Sequence, residues 1–162
     1  MALLFAYPEN SRACWTLARL AREELRHFEQ VERLRRALGI PFRRLQPSRY
    51  ANALRAVLRT AEPGRQIDRL LLAAFIEERS HERFVGLIDV VPAPVGALYR
   101  DLAAAEQRHR DTYVELARDV ARSVGDRRFE AQLERIARLE AQLATSADRS
   151  FRFHSGPPTL HA

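Results

Sequence analysis

Lysine is absent from the 162 residues, and cysteine, methionine and tryptophan occur once each. With Cys14 alone, no internal disulfide can form, and a buried thiol is the expected state of that residue. No apolar run reaches the roughly 20 residues that a membrane-spanning helix needs. No basic, apolar, small-residue leader opens the sequence either. These absences predict a cytoplasmic protein with no membrane partner. Strand signals and low-complexity stretches are also missing, which leaves helices to carry the fold.

What is present is an ordinary globular balance, 46% hydrophobic and 30% charged, in a chain long enough for one domain with a real core. The formal net charge is +6, carried entirely by arginine. Guanidinium pairs with phosphate through a planar fork and stacks on bases, so a basic arginine surface suits RNA. A GC-rich coding bias explains the missing lysine at least as well, so the net charge carries this inference. The densest basic stretch runs through Arg33, Arg35, Arg36, Arg43, Arg44, Arg49, Arg55 and Arg59. From it, Arg43, Arg44, Arg49, Arg55 and Arg59 are the candidate RNA-docking residues.

Punctuation divides the chain. The turn Pro8-Glu9-Asn10-Ser11 precedes a periodic segment from about Arg12 to Leu38, which Gly39 and Pro41 end. Ser48 is placed to cap a shorter helix to about Ala61, closed by Pro63-Gly64. Further helices are predicted over about Gln66 to Val90, Val95 to Val124 and Arg127 to Leu143, the last with Phe129, Leu133, Ile136, Leu139 and Leu143 on one side. Residues 1–146 thus read as a helical bundle and 147–162 as an irregular tail.

Two helices interrupt their own apolar stripes. The first long helix carries Leu17, Leu20, Glu24, His27, Val31, Leu34 and Leu38 at alternating three- and four-residue steps. The fourth segment carries Val95, Tyr99, Leu102, Glu106, His109, Tyr113, Leu116 and Val120. Each stripe faces a core, yet a Glu and a His three apart stand at its centre. A buried carboxylate costs several kcal/mol unless it is paired or metal-bound. Buried ion-pair clusters with arginine would satisfy one such motif; two in register call for a shared partner. A Glu that bridges two ions beside a His that ligates one of them is the arrangement of ferritin-like di-iron carboxylate bundles. Oxygen-rich donors with imidazole suit iron or manganese better than zinc.

That scheme needs a Glu from each remaining helix. Glu106 and His109 lie about fifteen residues after the Pro92–Pro94 turn, so their antiparallel neighbour lies about as far before it, at Glu77 or Glu78. Periodicity does not choose between these two. Glu82 is too near the turn and reads as a supporting residue, and His81 as a packed neighbour. The same count on the first hairpin places its Glu some five to seven positions before Met1. Met1 to Tyr7 therefore reads as the end of a first helix whose metal-binding part is missing, and the His27 side of the site is expected to hold iron more weakly.

The segments Leu20 to Val31, Gly39-Ile40-Pro41, Ser48-Arg49-Tyr50-Ala51, Phe75-Ile76-Glu77, Glu82-Arg83-Phe84, Glu106-Gln107-Arg108-His109 and Arg152-Phe153-His154-Ser155-Gly156 together resemble the MiaE family of tRNA hydroxylases. The likeness runs in matching order from about Leu3 to Pro158. It implies an all-α, ferritin-like four-helix bundle with additional short helices and a truncated first helix. It also implies an oxygen-dependent di-iron monooxygenase that hydroxylates the isopentenyl group of 2-methylthio-N6-isopentenyladenosine beside the anticodon. Two iron ions, dioxygen, the tRNA anticodon loop and an electron donor are the implied cofactors and partners. By position, the resemblance favours Glu77 as third-helix ligand, alongside Glu24, His27, Glu106 and His109. His81 departs from it, standing where a small residue is expected. Two other readings are a catalytically impaired RNA-binding bundle and a rubrerythrin- or ferritin-like iron protein, although the latter favours an acidic surface. Tyr99 and Tyr113 flank the fourth-helix motif, and His154 lies in the tail; core packing accounts for the tyrosines without a catalytic role.

Overall fold

The computed structural model describes residues 2–44, 48–149 and 152–159, and of the tail 150–151 and 160–162 lie outside the described residues. Among the described residues there are six helices: α1 Ala2–Ala6, α2 Ser11–Ala37, α3 Arg49–Arg55, α4 Gly64–Leu87, α5 Ala93–Ser123 and α6 Phe129–Thr145. The tail contributes only an isolated bridge, Asp148 with Pro158. No helix among the described residues is long and apolar enough to cross a membrane.

The helix ends follow the predicted punctuation. Asn10 Oδ1 accepts from Ala13 N at 3.0 Å and caps α2. At the other end Gly39 has φ +67, and Gly39 N and Ile40 N donate to Arg36 O and Arg35 O, which ties off the last carbonyls. Gly125, at φ +63, does the same for α5, with Gly125 N on Arg122 O and Asp126 N on Ala121 O. The short α3 departs from expectation twice. Ser48 stands at its N-cap without a side-chain capping bond, and the helix ends at Arg55 rather than near Ala61. The reason is Asp68, whose Oδ2 takes Arg59 N at 2.7 Å and pulls the chain out of helical continuation.

α4 and α5 form the main antiparallel hairpin, and α2 lies antiparallel along α5, pairing Arg12 with Asp119 and Glu23 with His109. α6 packs on α3 and α4, and α1 on α2. Leu54, Ile67, Leu71 and Ile136 are fully buried where α3, α4 and α6 meet, joined by Leu116, Ala117 and Val120 of α5. Burying each large aliphatic side chain contributes about 1.5–3 kcal/mol, which offsets the polar groups enclosed nearby. The predicted α5 stripe is buried through Leu102, Glu106, His109, Leu116 and Val120. The α2 stripe is not: Leu20 is buried, but Val31 and Leu38 are exposed, with Leu25 and Phe28 exposed beside them. No element among the described residues covers that end of α2.

Two polar networks hold the non-bundle pieces. Asp68, fully buried, accepts Arg59 Nε and Nη2 at 3.0 and 2.7 Å and Gln132 Nε2 at 2.8 Å, while Arg59 Nη1 reaches Asp126 at 2.7 Å. Glu140 accepts both nitrogens of an Arg79 fork at 2.7 Å and the Tyr50 hydroxyl at 2.8 Å. The tail folds back over this second network. His154 stacks on Tyr50 with ring centroids 5.2 Å apart, its Nε2 is 3.1 Å from Ser80 Oγ, and Phe153 packs on Phe84. Arg83 Nη2 donates to Ala144 O and Ser155 O, and Gly156 N to Ser146 O. A side chain at Gly156 would collide with the backbone of Thr145 and Ser146, so this crossing needs glycine.

The Asp68 network yields a stability prediction. Removing one partner of a buried ion pair costs about 3–5 kcal/mol because the other charge stays enclosed. Arg59→Ala should lower the urea midpoint by a corresponding amount at an unchanged m-value. Combining it with Asp68→Asn should recover part of the loss. Equal stability of Arg59→Ala and the parent chain would show that the network contributes nothing.

Candidate metal centre

The interrupted stripes of α2 and α5 meet α4 at one level. Glu24, Glu77, Glu106 and His109 each present one ligand atom, and these atoms all lie within 4.8 Å of one another. Glu106 and His109 are buried, Glu77 is partly buried and Glu24 is exposed at one edge. His27 stands beside this set, not within it: its Nδ1 is 3.6 Å from Glu24 Oε1, and its ring stacks on His109 with centroids 5.7 Å apart. Glu78, the alternative to Glu77, points outward to Arg110 at 3.6 Å. Glu82 pairs with Arg79 on the surface, and His81 Nδ1 bonds Ala103 O at 2.8 Å, one turn from the cluster. Tyr99 packs against Phe84.

The protonation pattern follows from crowding. Burial pushes the Glu77 carboxyl up to about 10, assisted by the carboxylates of Glu106 and Glu24. Burial works against a charge on His109, but Glu24 and Glu23 outweigh it and raise the imidazole above its ordinary value. The hydrogen bond from His109 in turn holds Glu24 and Glu23 below the usual carboxylate range, against their own desolvation. Burial, with Glu77, Glu24 and Glu106 nearby, raises the Tyr113 phenol, so it keeps its proton beside the acids.

The donor set fits a metal ion. Two buried polar atoms here lack any hydrogen-bond partner, Glu106 Oε2 and His27 Nδ1. Such groups cost about 1–3 kcal/mol each when left unsatisfied, and coordination would satisfy both. Three carboxylates with imidazole nitrogen are the chemistry that iron or manganese prefers.

Glu23 is a residue the sequence did not single out. Its Oε2 is 2.6 Å from His109 Nε2, while His109 Nδ1 is 2.9 Å from Glu24 Oε1. A carboxylate behind a histidine fixes the ring and its tautomer, leaving the other nitrogen for a ligand. In sequence Glu24 continues the α2 stripe and Glu23 does not; the position of α5 is what gives Glu23 its task.

The five arginines proposed for RNA separate. Arg59 is engaged with Asp68 and Asp126, and Arg49 with Asp148 at 3.2 Å and Ser146 Oγ at 3.1 Å. Arg43 and Arg44, beyond the end of α2, are exposed, as is Arg55, which contacts Asn52 Oδ1 at 3.5 Å.

Comparison with known proteins gives concordant results. The family described as tRNA-(MS[2]IO[6]A)-hydroxylase (MiaE) matches residues 1–155. The tRNA 2-(methylsulfanyl)-N(6)-isopentenyladenosine(37) hydroxylase of Pseudomonas putida is 40% identical over 164 residues, which span 98% of this chain and 76% of that protein. The enzyme of the same name from Salmonella typhimurium is 40% identical over 139 residues, 86% of this chain and 50% of that protein. Among solved structures, a Synechococcus protein described as having aldehyde deformylating oxygenase activity superposes with a TM-score of 0.87 at 32% identity, covering 99% of this chain and 81% of that one.

A metal ion bound here would displace protons from this cluster, which sets the sign of its pH dependence. Both the Glu77 carboxyl and the His109 imidazole hold protons above their ordinary pH range, so affinity for cobalt(II) should rise with pH, with proton release visible by calorimetry in buffers of different ionisation enthalpy. The raised Glu77 carboxyl also makes the metal-free fold lose stability as pH rises from its ordinary value of 4.5 towards about 10. Glu77→Gln removes that loss. At alkaline pH the metal-free variant should melt above the parent while binding cobalt at least about tenfold more weakly. Pure pH-independence of both properties would contradict the assignment.

Proposed function

The chain belongs to the MiaE family of tRNA hydroxylases, and on that premise we propose that it hydroxylates the isopentenyl group of 2-methylthio-N6-isopentenyladenosine beside the anticodon, with two iron ions and dioxygen. The observation that carries this reading is the convergence of Glu24, Glu77, Glu106 and His109 around partnerless buried donors. Glu24, Glu77, Glu106 and His109 would hold the iron, with His27 beside them as a further imidazole ligand. Bound iron supplies the redox chemistry that inserts one oxygen atom of dioxygen into a C–H bond; the other leaves as water.

The chain's own residues set the conditions. Glu23 holds the far nitrogen of His109, so that Nδ1 faces the cluster. Tyr113 retains its phenolic proton next to the carboxylates and is available as a hydrogen-bond donor there. The modified adenine has to leave its stack in the anticodon loop at a cost of a few kcal/mol, recovered by contacts with the protein. Exposed Arg43, Arg44 and Arg55 are the proposed phosphate contacts, and the cytoplasm, where tRNA resides, is the proposed location.

The direct test is to incubate the iron-loaded chain with tRNA bearing the modified base, air and a chemical reductant, then digest and weigh the nucleosides. A gain of one oxygen atom on the isopentenyl adenosine is expected, and His109→Ala should abolish it. Unaltered nucleoside despite tight tRNA binding would favour a catalytically silent RNA-binding bundle. Turnover of peroxide or storage of iron alone would favour a rubrerythrin-like role. Binding of tRNA should weaken steeply with salt, and Arg43→Ala with Arg44→Ala should flatten the log–log slope by about two. An unchanged slope removes those arginines from the interface.

A further inference from the structure

Hydroxylation by this chemistry consumes dioxygen, two electrons and two protons for each C–H converted to C–OH, with one water released. The electrons come from outside the substrate. We propose that an acidic one-electron carrier protein delivers them singly at the groove on α2 formed by Arg19, Arg22 and Arg26 around Glu23, with Arg108 of α5 beside Glu23. The proposal rests on the oxygenase reading and adds the surface at which its reductant docks.

The groove has a volume of about 460 Å³ and is lined by Arg19, Arg22, Glu23 and Arg26. The three arginines stand at three- and four-residue steps on α2 and are exposed. Arg108 Nη2 approaches Glu23 Oε2 at 3.9 Å from α5 and is 63% exposed. One carboxylate thus sits among four guanidinium groups. Like charges at this spacing destabilise a helix, so the patch is costly for folding and suited to an anionic partner.

Its position suits an electron carrier. Glu23, 30% exposed at the side chain, is 2.6 Å from His109 Nε2; the ring is almost fully buried, and its Nδ1 is 2.9 Å from Glu24. Surface, Glu23, imidazole and cluster form one hydrogen-bonded line. An electron crosses that ring without needing a channel. The groove therefore combines charge to hold an acidic carrier with a short hydrogen-bonded route inward.

The probe is an acidic plant-type [2Fe–2S] ferredoxin, and the variant is Arg22→Glu with Arg26→Glu in the full chain. Calorimetry with the metal-free chain should show ferredoxin binding that weakens with salt and falls at least tenfold in the variant. With the iron-loaded, oxidised chain under anaerobic conditions, reduction by ferredoxin should slow at least tenfold while reduction by dithionite keeps its rate. Affinity for tRNA should stay within about twofold. Absence of ferredoxin binding to the parent, or equal reduction of parent and variant, overturns the proposal. A variant that loses tRNA affinity instead assigns the groove to RNA and overturns it as well. The calorimetric arm needs neither iron nor turnover, so a failure of hydroxylation is read separately.

Discussion

The structure depends on one constraint: ionisable groups placed at mid-helix where apolar side chains would otherwise pack. Glu77, Glu106 and His109 lie inside the α2–α4–α5 bundle. Burial favours a proton on Glu77, the Glu24 and Glu23 carboxylates favour one on His109, and Glu106 Oε2 is left without a hydrogen-bond partner. The aliphatic contacts around Leu54, Ile67, Leu71 and Ile136 lie where α3, α4 and α6 meet, and Tyr113, beside the cluster carboxylates, packs against the same core.

The cluster was legible because it violates periodicity. A Glu and a His three apart in an otherwise apolar stripe, twice, is a local signal that needs no tertiary information, and the turn at Pro92–Pro94 supplied the level of the third helix. Helix ends at Asn10, Gly39 and Gly125 were equally local. What was hidden depends on long-range pairing. Periodicity could not separate Glu77 from Glu78, and nothing in sequence gives Glu23 a task until α5 is placed beside α2. Arg59 and Arg49 looked like members of a basic surface stretch; their acids, Asp68 and Asp148, lie 9 and 99 residues away. The α2 stripe misled in the other direction, since Val31 and Leu38 continue the pattern into solvent.

The arginine complement divides by partner. Arg59, Arg79 and Arg49 cross-link elements through carboxylates and are part of the architecture. Arg43 and Arg44 past the end of α2, and Arg19, Arg22 and Arg26 on its outer face, are exposed. Asp68, Glu106 and Glu140 are the buried acids among the described residues, and the exposed acids leave a surface that carries both signs.

The tail works as a clasp between helices far apart in sequence. Phe153 and His154 touch Phe84, Tyr50 and Ser80, and Ser155 and Gly156 seat on Arg83 and the end of α6, so an irregular segment closes the α3–α4–α6 junction where a further helix could have done so. Contacts that join four segments through one short strap are lost together when the strap lifts, and the Tyr50–Glu140 pair beneath it then meets water.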